Sequence, residues 1–252
     1  MGVAFVTGAQ RGMGRAIALS LAAEGFDVAA VDLQINAALE DTVAEIRAKG
    51  VKGVAVACNI ADLSAHQPAI DAAQEALGPM TTLVNNAGVS VKVRGDLLEV
   101  SPESYDFCQS VNTRGTFFLT QAFARRLRET ITPCHRSIIT ITSANATAVS
   151  VARGEYCISK AGASMMSKLF AARLSDEDIG VYEIQPGFID TEMVAPSKAK
   201  YDALIAGGLT VIKRFGTPGE VGRIATTLAC GLLPYTSGQA IQADGGLLTV
   251  RY

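Results

Sequence analysis

Only two histidines, His66 and His135, occur in the 252 residues, and they lie far apart in the chain. A metal centre built on imidazole clusters two or three ligands, so none is expected. The five cysteines, Cys58, Cys108, Cys134, Cys157 and Cys230, are odd in number, scattered, and never form a CxxC pair. They fit buried thiols in a reducing compartment and exclude a disulfide framework. An excess of one charge is also missing, the formal net charge being -2. That leaves no electrostatic case for a nucleic acid or an anionic membrane as partner. No apolar run approaches the ~20 residues of a membrane span. The opening "MGVAFVTGAQRG" has no basic n-region, its apolar run is too short for a signal peptide, and Val6 stands where myristoylation wants Ser or Thr. A cytoplasmic protein is expected. Linkers rich in Pro, Gly or Ser, charge blocks and repeats of fixed period are absent too, which predicts one domain over 1–252.

What remains is 49% hydrophobic and 18% charged, the composition of an ordinary globular chain. A domain this long buries most of its unfolded-chain surface and needs no metal or disulfide to hold it. Short apolar runs at 3–7, 27–32, 51–57, 82–85, 137–142, 181–185 and 238–242 alternate with helical stretches. Continuous hydrophobicity over five or six residues marks a parallel strand buried on both faces. Helices are predicted over 12–25, 36–49, 64–78, 102–129, 156–176 and 218–232, with capping signals at Asp62-Leu63-Ser64 and Ser101-Pro102-Glu103. The alternation predicts an α/β fold, a Rossmann-type doubly wound parallel sheet of about seven strands with helices on both faces. One irregular stretch, 186–217, is long enough to carry function, and 188–210 within it reads as a substrate lid.

Directly after the first run stands "TGAQRGMG", with Gly8, Gly12 and Gly14 at a strand-to-helix turn. Glycines there let backbone N–H groups approach a diphosphate, and the helix N-terminus adds favourable partial charge. Asp32 ends the second run, 18 residues beyond Gly14. A carboxylate there accepts hydrogen bonds from both ribose hydroxyls and repels a 2′-phosphate, which favours NAD(H) over NADP(H). Arg11 pulls the other way, because a nearby arginine compensates a phosphate, so NADP(H) stays open. In "EYCISK", Tyr156 and Lys160 share one helical face. The pair is either surface decoration or an acid drawn toward neutrality by its ammonium neighbour.

The chain resembles the short-chain dehydrogenase/reductase family nearly end to end. Thr7-Gly8 through Gly14 match its TGxxxGxG turn, and Asn85-Asn86-Ala87-Gly88 its NNAG stretch. Asn112 in "VNTRG", Ser143 in "ITITSANA", and Tyr156 with Lys160 match its catalytic set, Ser143 lying thirteen positions before Tyr156. "QPGFIDTEM" and "QADGG" complete the series in the family's order. The resemblance implies that Tyr156 is the general acid or base at the carbonyl and that Lys160 lowers its pKa from ~10 while holding the nicotinamide ribose. It implies that Ser143 binds the substrate oxygen and Asn112 orders a water. Cofactor contacts are implied for Gly8, Gln10, Arg11, Gly12, Met13, Gly14, Asp32, Leu33, Asn59, Ile60, Asn86, Ala87, Gly88, Tyr156, Lys160, Pro186, Gly187, Ile189 and Thr191. Ile189 and Thr191 would hold the carboxamide, and Thr191 has a second reading as a helix N-cap.

Departures from the family pattern are few. Asn59 stands where an aspartate often binds the adenine amino group, and its amide oxygen still accepts. Arg153 precedes the tyrosine, where it is either a solvated loop cation or a partner for an acidic substrate group. Cys157 reads as a packed small residue. Asp176-Glu177-Asp178 reads as a solvated turn with no role, since acidic residues are disfavoured at a helix C-terminus. Arg125, Arg126, Arg128 and Arg173 suit helix ends; in the branch of acyl-carrier-protein reductases such residues receive the acidic carrier protein.

Interconversion of a small-molecule ketone and secondary alcohol is therefore expected, most like a 3-oxoacyl-thioester reductase. Asp32 favours the alternative of an NAD-dependent polyol or sugar dehydrogenase, because biosynthetic reductases mostly use NADPH. A silent NADH-binding regulator is the reading from another class. The resemblance further implies a homotetramer packed through 102–129 and 156–176.

Overall fold

The computed structural model describes residues 1–192 and 194–251; Met193, within the expected lid, and Tyr252 lie outside them. Seven parallel strands form one sheet: β1 (Val3–Thr7), β2 (Asp27–Asp32), β3 (Gly53–Ala57), β4 (Thr82–Asn85), β5 (Arg136–Ile141), β6 (Ile179–Pro186) and β7 (Ala240–Ala243). Their order is β3-β2-β1-β4-β5-β6-β7, so the chain reverses its direction of winding between β1 and β4. In such sheets a crevice opens beyond the carboxyl ends of the strands at that switch point.

Alternate strand residues serve opposite faces. Ala4, Val6, Val28, Ala30, Val84 and Ile139 join the apolar sides of α1 (Gly12–Ala23), α2 (Ala37–Arg47) and α8 (Pro218–Ala229). Phe5, Ala29, Val31, Leu83 and Ile138 join those of α3 (His66–Leu77) and α5 (Thr116–Glu129) on the other side. This is the doubly wound arrangement the alternation predicts. Helix α1 crosses α8 closely, because a Cβ on Gly222 would lie 2.9 Å from the Ala16 carbonyl oxygen.

Three elements differ from expectation. The stretch 102–129 is not one helix: α4 (Pro102–Gln109) and α5 are joined by a π-turn, Ser110–Gly115. Gly115 packs against the chain beyond β3, where a Cβ would come 2.4 Å from the Ile60 carbonyl oxygen. The irregular stretch contains a helix, α7 (Lys198–Ala206), which starts without a side-chain cap. Glu177 is no idle turn residue, since its carboxylate pairs with both Arg128 and Arg173. Those bonds, Arg173 foremost, hold it below the usual carboxylate range.

Helix α6 (Gly154–Leu174) inverts the usual pattern. Its buried residues include Glu155, Tyr156, Ser159, Lys160, Ser164 and Ser167 beside Ala163, Met166 and Leu174, while Ile158, Met165 and Leu169 are exposed. The buried hydroxyls are satisfied locally or by β6. Ser159 and Ser167 donate to Tyr156 O and Ala163 O, and Ser164 to Glu183. Among the described residues, no helix is long and apolar enough to cross a membrane.

Candidate active site

The first half of the site is made by close backbone approach. Gly8 and Gly12 have φ of 66° and 57°, the left-handed region that suits glycine. A Cβ on Gly14 would stand 2.0 Å from the Gly8 carbonyl oxygen, so only glycine fits there. Helix α1 begins at this turn without a side-chain cap, which leaves its first N–H groups free to meet an anion. Met13 packs on the core beside them. Asn86 steadies the turn by donating to Thr7 O at 2.9 Å and Gly8 O at 3.2 Å, and Ala87 N donates to the Thr7 hydroxyl.

Asp32, at the end of β2, accepts from Gln10 N at 3.1 Å and Leu33 N at 2.8 Å. Two carboxylate oxygens offer about four acceptor sites, so lone pairs remain for ribose hydroxyls. Arg11 pairs instead with Glu192, within segment 188–210, at 2.8 Å. Asn59 is exposed and its side chain accepts from Ala61 N, while Ile60 is buried beside it. The donor set and the glycine cradle fit a dinucleotide.

The second half is made by buried side chains. Tyr156 is 9% exposed and Lys160 7%. The Lys160 ammonium lies 5.8 Å from the centre of the Tyr156 ring and donates to Ile141 O at 3.0 Å. Burial raises the phenol above its ordinary pKa, opposed chiefly by a hydrogen bond with Ser143 and then by the charge of Arg153. Lys160 is not among the groups that lower it, and desolvation of the phenolate dominates. Burial likewise lowers Lys160 to about 8, with Glu183 opposing. Glu183 is 1% exposed on β6, held by Thr142, Ser164 and Gln185.

Asn112 sits in the π-turn. Its amide exchanges two hydrogen bonds with the Val89 backbone and donates to Ser159 at 3.0 Å. A Cβ on Gly88 would lie 3.1 Å from Asn112 Oδ1 and 3.4 Å from Lys160 Nζ, which places all three together. Pro186 ends β6, and Gly187 is bonded to Ala243 O. Ile189 forms a bridge with Gly216 and is buried. The Thr191 methyl stands over Gly12, where a Cβ would be 3.7 Å away. Its hydroxyl donates to Ile189 O, and among the described residues it accepts no helix N–H. The glycine turn, Asn86, Gly88, Asn112, Lys160 and Thr191 therefore line one crevice at the switch point.

Sequence reasoning missed Ser159 and Asn145. Neither carries a sequence signal, since a serine or asparagine in a loop or helix is ordinary. Arg153 is not a solvated cation; half-buried, its guanidinium lies 5.2 Å from the Tyr156 ring centre. A cavity of about 310 Å³, lined by Phe188, Ile189, Ile212, Arg214 and Asp244 among others, holds none of Ser143, Tyr156 or Lys160. Among the described residues, no group of three or more His, Cys, Asp or Glu gathers as for a metal ion.

A family model described as enoyl-(acyl carrier protein) reductase matches residues 8–248. A 3-oxoacyl-(acyl-carrier-protein) reductase of Staphylococcus aureus is 34% identical over 248 residues, 97% of each chain. The crystal structure of a Brucella melitensis 3-oxoacyl-(acyl-carrier-protein) reductase in complex with NAD superposes with a TM-score of 0.96 and 42% identity, over 100% of this chain and 98% of that one. A putative 2-deoxy-d-gluconate 3-dehydrogenase from Agrobacterium tumefaciens with bound NADP gives 0.86 and 29%, over 99% and 97%.

Proposed function

The chain belongs to the short-chain dehydrogenase/reductase family, and from that premise we propose that it reduces the ketone of a 3-oxoacyl thioester with a nicotinamide cofactor. The observation that carries the reading is the buried pair Tyr156 and Lys160 on one turn of α6, the ammonium 5.8 Å from the ring centre. Burial raises the phenol further above its ordinary value, and the protonated form is the one a general acid needs.

Bound in the crevice, the cofactor supplies the hydride. The glycine turn and α1 would hold its diphosphate, Asp32 its adenosine ribose, and Ile189 and Thr191 its carboxamide end. Ser143 Oγ and Tyr156 Oη donate to the substrate carbonyl oxygen, which gathers negative charge as the carbon is reduced. The phenolic proton moves to that oxygen, leaving the alcohol and a phenolate beside the Lys160 ammonium. Asn112, fixed between Val89 and Ser159, orders the water through which the phenol regains its proton.

Asp32, with Arg11 drawn off by Glu192, supports NAD(H) as the preferred cofactor. Three of the four basic residues suited to an acidic carrier protein are engaged, Arg126 by Asp71 and Arg128 and Arg173 by Glu177. A free acyl thioester is therefore the better first substrate. The segment 188–210 is the lid over it. The exposed apolar stripe of α6, with Phe118 of α5, is the face through which copies of the chain pack as a homotetramer.

The deciding experiment follows oxidation of NADH, against NADPH, by the purified protein with acetoacetyl-CoA. Turnover that favours NADH is the expected result. Tight NADH binding without turnover, unchanged by Tyr156→Phe, would replace the reductase reading with that of an NADH-binding regulator, and polyols or sugars with NAD would be screened next.

A further inference from the structure

Once Tyr156 has given up its proton, the phenolate must be held in a place where burial disfavours it. Lys160 is an incomplete answer. Its ammonium is already engaged by Ile141 O, and it titrates near 8, so its charge fades in mildly alkaline solution.

Arg153 faces the same ring from the other end of the first helical turn. Its guanidinium is 5.2 Å from the ring centre, nearer than the Lys160 ammonium at 5.8 Å. It is held there by donating to Asn145 Oδ1 at 2.5 Å and to Ser150 Oγ at 3.5 Å. Asn145 is itself fixed, donating through Nδ2 to Ala148 O and through its backbone N–H to Ser143 Oγ at 3.1 Å. One short loop thus links Arg153 to the serine that meets the phenol. Among the described residues, no carboxylate forms an ion pair with Arg153, so its charge is not neutralised locally. A guanidinium, unlike an ammonium, stays charged well above neutral pH.

We propose that Arg153 is a positioning residue of the catalytic site, a second and permanent cation that stabilises the Tyr156 phenolate. The inference rests on the reading of Tyr156 as the proton donor. The groups facing the phenol are Ser143 from the loop after β5, Cys108 from α4, and Arg153, Cys157 and Lys160 from the start of α6. The neighbouring Glu155 carboxylate is turned aside to Ser104 of α4. Among the described residues, Arg153 is therefore the one cation facing the phenol that is not bonded to the sheet.

The test measures the pH dependence of kcat/KM for oxidation of 3-hydroxybutyryl-CoA with NAD, whose acid limb reports ionisation of the phenol. In parallel, Tyr156 is titrated without cofactor by ultraviolet tyrosinate absorbance, each protein being compared with its own Tyr156→Phe variant. Arg153→Gln is expected to move both midpoints up by about one pH unit, and Arg153→Lys by much less. Circular dichroism confirms that each variant is folded, and Arg153→Met, with the same expected rise and the same overturning result, serves if Arg153→Gln is not. Unmoved midpoints in folded Arg153→Gln overturn the proposal. So does a raised KM for acidic substrates alone, which would make Arg153 a substrate-binding cation. Full activity in Tyr156→Phe would instead overturn the reading of the phenol, an outcome separate from either.

Discussion

Helices α1 and α6 flank the crevice from opposite faces of the sheet and work by opposite means. Helix α1 offers its backbone N-terminus, and the side chains behind it, Ile17, Ala18, Leu21 and Ala22, make an ordinary apolar face on the sheet. Helix α6 offers side chains. To bring Tyr156 and Lys160 against the sheet it buries a stripe of hydroxyls and turns Ile158, Met165 and Leu169 outward. A helix that functions through its end can keep a conventional core, whereas one that functions through its flank gives up part of its core contact. The apolar residues displaced to the far side then need another surface.

The sharpest way to break the comparison is to remove one atom from the α6 side. Tyr156→Phe should lower kcat by roughly 10²–10⁴ in steady-state assays while NADH affinity, measured by fluorescence, stays within a factor of two or so. On the α1 side the equivalent lesion adds an atom. Gly14→Ala drives a methyl group into the Gly8 carbonyl, and urea unfolding should show a loss of about 1–3 kcal/mol together with weaker NADH binding.

A pH series tests which half of the site depends on charge. Because burial lowers Lys160 to about 8, its ammonium is present below that pH and lost above it. Ketone reduction should therefore fall above pH 8, approaching about tenfold per unit, with NADH affinity changing less. The smallest effect concerns selectivity. Asp32→Ser removes the carboxylate that opposes a 2′-phosphate, and should shift the kcat/KM ratio toward NADPH by about tenfold, or 1.4 kcal/mol. An unchanged ratio would mean that Asp32 serves only to brace Gln10 and Leu33. Light scattering completes the comparison, since a monomer at micromolar concentration would leave the outer stripe of α6 uncovered.

The same contrast governs what could be read from the sequence. The strands were legible because parallel strands buried on both faces are written as unbroken apolar runs, such as VAFVT at 3–7. The glycine turn was legible because steric exclusion at Gly14 leaves a single permitted residue. The ionisation of Tyr156 was not, because spacing shows that Lys160 shares its face but not how deeply both are buried. Helix α7 was hidden by the lack of a capping side chain and by few buried residues, Ile205 being the one within it. Glu177 pairs with Arg128, 49 residues away, as well as with Arg173 one turn back, so 176–178 alone read as an idle acidic turn.

The π-turn at Ser110–Gly115 has a consequence for how this chain can change. Each residue of an α-helix turns its successors by about 100°, so a one-residue deletion here would do more than shorten a loop. It could restore a continuous helix, but only by rotating α5 against α4. Either Leu119, Phe123 and Leu127 would leave the sheet, or Cys108 and the Ser104–Glu155 contact would swing away from α6. Asn112 would lose Val89 and Ser159 in both cases. The wide turn acts as a phase adjuster between two helical segments that answer to different neighbours. Length in this region should therefore be far less negotiable than composition, and substitutions on the outer side of α5 should be tolerated where a single insertion or deletion is not.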